Sequence, residues 1–180
     1  MLKYGRARSG LSSLFAPPRV EMAEMVTVRD VEKVLSLLRR VYNLVIIDTP
    51  TTVTDMTLGF FDACDAILLV VTSDYTSVRN TRMMNQAFEL IGFSEERLRV
   101  VLNRSDAAGG LDEGAYLSML GRGPEFRVVS DGRLVVEANN QGVPFVLSSP
   151  DAPISRDIGA IAAAITMPAG FEAAAAGARR

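Results

Sequence analysis

The chain has 180 residues, 48% of them hydrophobic and 22% charged, and a formal net charge of −2. That length and composition suit one globular domain with a buried core, and the near balance of charge excludes a general pull toward nucleic acid or anionic lipid. Histidine is absent and Cys64 is the single cysteine, which excludes histidine-based triads, histidine metal ligands, internal disulfides and cysteine-type zinc sites.

The elements run as an alternation of apolar strands and helices. Residues 10–18, "GLSSLFAPP", read as a short strand stopped by two prolines. Val28, Val31, Val34, Leu35 and Leu38 fall at helical spacing over 28–41, with Thr27 placed to cap. "LVIID", 44–48, is a continuous apolar run of the kind buried on both faces of a parallel sheet. A short helix follows over 54–64 with Asp55 as its expected cap, then a second apolar strand over 66–72. A helix spans 76–91 and ends at Gly92, a third apolar strand spans 98–104, and a helix lies near 112–120. The remainder reads as a strand at 126–129, a helix at 132–141, the turn "GVPFVL" and a helix at 153–166 carrying Ile154, Ile158, Ile161 and Ile165 on one face. Residues 1–168 are expected to form one domain, and 169–180 a loose Ala-rich tail. The pattern predicts an α/β fold, three layers around a mostly parallel sheet.

Several features have a plain structural reading. The isoleucine stripe of 153–166 carries only Arg156 as positive charge, so core docking is expected rather than a membrane-surface role. Arg79 and Arg82 read as a solvated helix face, and Met83, Met84 and Met119 as core filler. No apolar run approaches the roughly 18 residues that cross a membrane, and the polar N-terminus has no signal-peptide core; a reduced, cytoplasmic protein is expected.

Asp48 ends its strand where doubly wound sheets keep ligand-binding groups. A phosphate-binding partner for it is missing. Neither of the two lysines, Lys3 and Lys33, lies in a G-K-[ST] motif, and the glycines of "AAGGLDEG" and "GRGPEF" read as surface turns. Read from the residues alone, Asp48 is a strand-end acid satisfied by local N–H groups. Asn103 is likewise a polar strand end feeding a turn.

"YNLVIIDTP", "DAILLVVTSDYTSVRNTRMMNQAFELIGF", "VVLNRSD" and "VVEANNQGVPFV" occur in that order. Together they resemble the MinD/ParA superfamily of deviant-Walker ATPases, nearest the CpaE/TadZ branch of pilus-assembly localisation proteins. The likeness spans about residues 10–166. It implies a P-loop NTPase fold lacking the phosphate-loop strand, with ATP and Mg²⁺ as the family's ligands. By resemblance Asp48 holds Mg²⁺ through water, Thr49 and Pro50 complete that motif, and Asn103 meets the adenine edge beside Arg104. Val143 and Pro144 fall in the matching "GVP" segment. Thr51 to Thr54 depart from the family's Pro-Gly or Ala-Gly, and Ser130 and Asp131 stand where a proline usually flanks the base. The expectation is a truncated or degenerate positioning protein that acts through protein partners or self-association, without autonomous ATPase activity. The alternative is the C-terminal part of an active ATPase whose phosphate loop lies upstream or on another chain. Either way the strands at 44–48 and 66–72 each lack a neighbour, and repair by residues 1–16 or by another chain is expected.

Overall fold

The structure, a computed structural model, describes residues 3–6, 10–90 and 92–166. Two compact units are distinguished, Met1–Cys64 and Asp65–Arg180. The expected tail at 169–180 lies outside the described residues.

In the first unit, β1 (Lys3–Arg6) and β2 (Ser12–Phe15) form an antiparallel pair, Lys3 opposite Phe15 and Arg6 opposite Ser12. β2 is the strand expected at 10–18; β1 has too little apolar pattern to announce itself. The short helix α1 (Val20–Glu24) precedes α2 (Val28–Val41). Thr27 caps α2 as expected, and reciprocally: its Oγ1 accepts from Asp30 N at 3.3 Å while the Asp30 carboxylate accepts from Thr27 N at 3.1 Å. Two otherwise orphaned donors are satisfied together. In α3 (Asp55–Ala63) the cap is Thr54, not the expected Asp55. Thr54 has extended backbone, which carries its hydroxyl to Thr57 N at 3.2 Å; Asp55 is already helical and contributes only its charge at the positive end of the helix. Helices α2 and α3 approach closely at Gly59, where a Cβ would stand 2.7 Å from Val28 Cγ1.

Residues 44–48 correct the sequence reading. They carry no regular secondary structure, and among the described residues they have no ladder partner. Leu44 and Ile46 are exposed, Ile46 by 75%. A strand exists only through the neighbour that takes its N–H and C=O groups, and apolar content does not supply one. The described partner of β2 is β1, so among the described residues the N-terminal segment does not repair this stretch.

The second unit holds the parallel sheet β3 (Ile67–Thr72), β4 (Leu98–Asn103) and β5 (Phe126–Val128), in spatial order β3-β4-β5. Helix α4 (Tyr75–Leu90) joins β3 to β4, and α5 (Glu113–Leu120) joins β4 to β5. α6 (Gly132–Gln141), α7 (Phe145–Ser148) and α8 (Pro153–Thr166) follow. The segment "GVPFVL", expected as a turn, enters the one-turn helix α7. Gly92, at φ +71°, takes the role expected of it after α4, its N–H bonding Glu89 O at 3.0 Å.

Strand alternation sorts the core into two layers. One face gathers Val71, Val78, Val100, Leu102, Tyr116 and Leu120 under α4 and α5. The other gathers Val101, Val128, Ile154 and Ile161 under α8. The isoleucine stripe of α8 thus docks on the sheet as expected. Arg79 and Arg82 are exposed as expected, whereas Met83 is 57% exposed and is not core filler; Met119 packs against the first layer. The α8 layer stops short of β3: Leu68 is 36% and Val70 61% exposed.

Short β5 leaves part of β4 to be satisfied by a side chain. Val100 N donates to Glu125 Oε2 at 2.7 Å, and Glu125 N donates to Val100 O at 3.0 Å. The Glu125 side chain is 2% exposed and paired with Arg122, which also donates to Leu98 O at 3.2 Å. Removing this carboxylate leaves a backbone donor and a guanidinium unmatched. Glu125→Ala is expected to lower stability by about 2–4 kcal/mol. By contrast Glu137→Ala, which breaks the exposed Arg133–Glu137 pair, should cost no more than about 0.5 kcal/mol. Urea denaturation followed by circular dichroism measures both.

Candidate functional site

The three parallel strands end level. Thr72 lies opposite Asn103, and Asn103 opposite Val128. In doubly wound sheets ligands bind beyond these carboxyl ends. Asn103 is half-buried, and its Oδ1 accepts from Arg104 N at 3.0 Å. That bond fixes the amide's orientation and leaves its NH₂ as the outward donor. Arg104 follows at φ +55°, a left-handed conformation that a non-glycine residue adopts at a cost, and it turns the chain sharply away from the sheet. Ala107 N closes that turn on Arg104 O at 3.0 Å.

The neighbouring strand end is held by carboxylates that the sequence did not single out. Asp106 Oδ1 accepts from Ser130 N at 2.7 Å, tying the loop after β4 to the loop after β5. The Ser130 N–H stabilises the charged form and draws the Asp106 carboxyl below its usual range. Asp157 on α8 accepts from Val129 N at 3.0 Å, and Asp131 caps α6 by accepting from Leu134 N at 2.9 Å. Ser130 and Asp131, which replace the family's proline, thus serve as a ligand of Asp106 and a helix cap. On the β3 side, Asp74 accepts from the Thr72 hydroxyl at 2.5 Å and from Ser77 N at 2.9 Å, and these bonds, the hydroxyl's first, draw its carboxyl below the usual range.

The other residues implied by the resemblance belong to other segments of the chain. Val143 and Pro144 are exposed at the far end of α6 from Asp131. A helix of those ten residues is about 15 Å long. Asp48, Thr49 and Pro50 belong to the first unit, with Asp48 and Pro50 exposed and Thr49 half-buried. The ends of β4 and β5 bring together Asn103, Arg104 and, through Asp106, Ser130.

An amide beside a level strand end suits one edge of a purine base. The phosphate and Mg²⁺ half of a nucleotide is another matter. Among the described residues no group of three His, Cys, Asp or Glu residues could hold a metal ion. Asp48 supplies a single exposed carboxylate, and the sequence offers no lysine in a G-K-[ST] motif. The residues present do not fit Mg²⁺-phosphate.

No protein-family model and no curated protein matches the sequence. Solved structures do match. A ParA family ATPase from Chlorobium tepidum TLS superposes with a TM-score of 0.81 at 17% identity, over 86% of this chain and 65% of that one. The MinC:MinD cell division protein complex of Aquifex aeolicus gives 0.68 at 18% identity, over 86% and 63%. The septum site-determining protein MinD complexed with Mg-ADP from Pyrococcus horikoshii OT3 gives 0.63 at 16% identity, over 77% and 56%. The chain has the α/β fold of the ParA and MinD ATPases, and it spans less than two thirds of the length of each of these three.

The Asp106 tie makes a pH-dependent prediction. Its carboxyl is depressed in the folded state, so its contribution is present above the ordinary unfolded value and lost as pH falls through the folded one. Asp106→Asn should therefore lower the urea midpoint at neutral pH. The gap from the parent should begin to narrow as pH drops below about 4 and close only below the depressed folded value. A gap that stays constant across the acid range would contradict this.

Proposed function

We propose that the chain is a positioning protein of the ParA/MinD superfamily, of the CpaE/TadZ kind, working in the cytoplasm through protein contacts and not hydrolysing ATP by itself. The ParA-like fold supports the superfamily. One observation carries the rest: two apolar stretches stand open. β3 pairs only with β4 among the described residues and carries Leu68 and Val70 exposed on one face, and residues 44–48 pair with nothing described. An unpaired apolar edge is a template for an added strand. In this reading a protein partner or a second copy of the chain supplies the strand. Phosphoryl transfer is catalysed almost wholly by positioning and charge stabilisation, so the chain alone binds a base edge at most. The MinD of Aquifex aeolicus was solved as a complex with MinC, which supports protein partnership as the mode of action.

The second reading is that an ATPase is assembled once a phosphate-loop strand is present, in the same polypeptide or on another. The open state of residues 44–48, with Asp48 at their end, favours it. An in-frame G-K-G-G-x-G-K-T in the coding sequence upstream would decide for it, and no described helix is long and apolar enough to cross a membrane in either case.

The chain alone is expected to release no phosphate from Mg-ATP in a malachite-green assay. Calorimetry should give a Kd weaker than about 1 μM, that is, less than about 8 kcal/mol of binding. Turnover by clean protein that disappears in Asp48→Ala would refute the non-catalytic reading.

A further inference from the structure

A polar cavity opens at the carboxyl ends of the strands, on the α5 side. It has a volume of about 230 Å³, and its lining includes Ser73 after β3, Leu102 on β4, Ser105 after β4, and Gly109, Gly110 and Leu111. The chain between β4 and α5 is therefore one of its walls.

That chain is fastened at both ends. At its start Ser105 N donates to Val128 O at 3.0 Å, and the Asp106 carboxylate accepts from Ser130 N at 2.7 Å. Both bonds go to the β5 side, and the second is charge-assisted, a kind roughly twice as strong as a neutral bond. At its finish Leu111 N donates to Ser73 O at 2.7 Å, while the Leu111 side chain packs against the layer under α4 and α5. The tie to the β3 side is thus a neutral bond.

Between the two fastenings lie Ala107, Ala108, Gly109 and Gly110, all exposed. Their side chains are a methyl or a hydrogen, so burial of apolar area does little to hold them down. Gly109, at φ +79°, and Gly110 have the widest backbone freedom of any residue type, and ordering them is entropically the most costly. Close fit sets the seated position: a Cβ on Gly110 would stand 2.1 Å from Ser73 Oγ and 2.8 Å from Ser73 Cβ. Only glycine can approach so near. A segment with few buried apolar contacts is of the sort that opens locally while the rest of the fold stays intact.

We infer that residues 107–110 are a strap over this cavity, which lifts away from Ser73 while Ser105 and Asp106 stay fixed to the β5 side. Lifted, the strap opens the cavity and bares the end of β3, in the region where doubly wound sheets take up ligands. Seated, it closes both. The strap does not depend on the function proposed above.

Hydrogen exchange followed by nitrogen-15 NMR on the full chain tests this. The bond from Leu111 N to Ser73 breaks when the strap lifts. After correction for intrinsic rates, the Leu111 amide should exchange at least about tenfold faster than those of Ser105 and Ser130. Gly110→Ala cannot seat, so it should speed Leu111 by about a further tenfold and leave Ser105 and Ser130 within about twofold. Adding Ser73→Gly to that variant removes the Oγ and Cβ that the new methyl meets, and should restore the parent's rate at Leu111. Asp106→Ala acts at the other end: Ser130 should speed up and Leu111 should not, which keeps the test open should Gly110→Ala misfold. Equal protection of Leu111, Ser105 and Ser130 in the parent would overturn the inference, because the loop would then open only as a whole. So would a Gly110→Ala effect that Ser73→Gly does not reverse, or an Asp106→Ala variant in which Leu111 and Ser130 speed up together.

Discussion

Everything in the second unit depends on β4 being held along both edges. Leu98 through Leu102 are all buried, and the strand is laddered to β3 on one side and β5 on the other. A buried backbone group without a partner is destabilising by about as much as a whole side-chain contact is worth, so β4 cannot sit centrally unless both neighbours are complete. β5 has only three residues. Glu125 continues its work by presenting a carboxylate to Val100 N, and Arg122 holds that carboxylate in place. The level strand ends, and hence the positions of Asn103 and Ser73, follow from this central strand.

The same kind of sequence signal gave opposite outcomes at two places. "LLVV" in β3 and "LVII" at 44–47 are equally apolar, yet one is a strand and the other is not. A run of branched apolar residues states that burial is favourable; it says nothing about which chain will lie alongside. Helices were more legible, because their hydrogen bonds are local. Thr27 and Gly92 announced the ends of α2 and α4 correctly, and the one-residue shift from Asp55 to Thr54 turned on backbone conformation that residue type does not encode. Met83 was misjudged for a related reason: a methionine is compatible with a core and does not require one.

At the site, Asn103 was legible because a polar residue closing an apolar strand is conspicuous. Asp106 was not, since its partner Ser130 lies 24 residues away and their bond exists only after β4 and β5 align. Gly110 was hidden for the same reason. Its importance arises from Ser73, at the end of another element, and a turn-like composition masked a close contact. Val143 and Pro144 matched a pattern in sequence and follow α6, at its other end from the Asp131 cap.

The order of the strands has a consequence for how the molecule comes into being. β3, β4 and β5 neighbour one another in the order in which they are synthesised; Ile67 pairs 31 residues ahead with Leu98 (98 − 67), and Val101 pairs 25 ahead with Phe126 (126 − 101). Closing loops of such similar size differs by only about 0.2 kcal/mol in chain entropy, so neither pairing need wait for the other on entropic grounds. A chain emerging from the ribosome can zip β3 to β4 and then add β5, with no residue before 67 taking part in those ladders. Vectorial assembly of this kind gives β4 its two partners soon after it appears, and shortens the interval during which its unpaired N–H and C=O groups and apolar side chains are open to other chains.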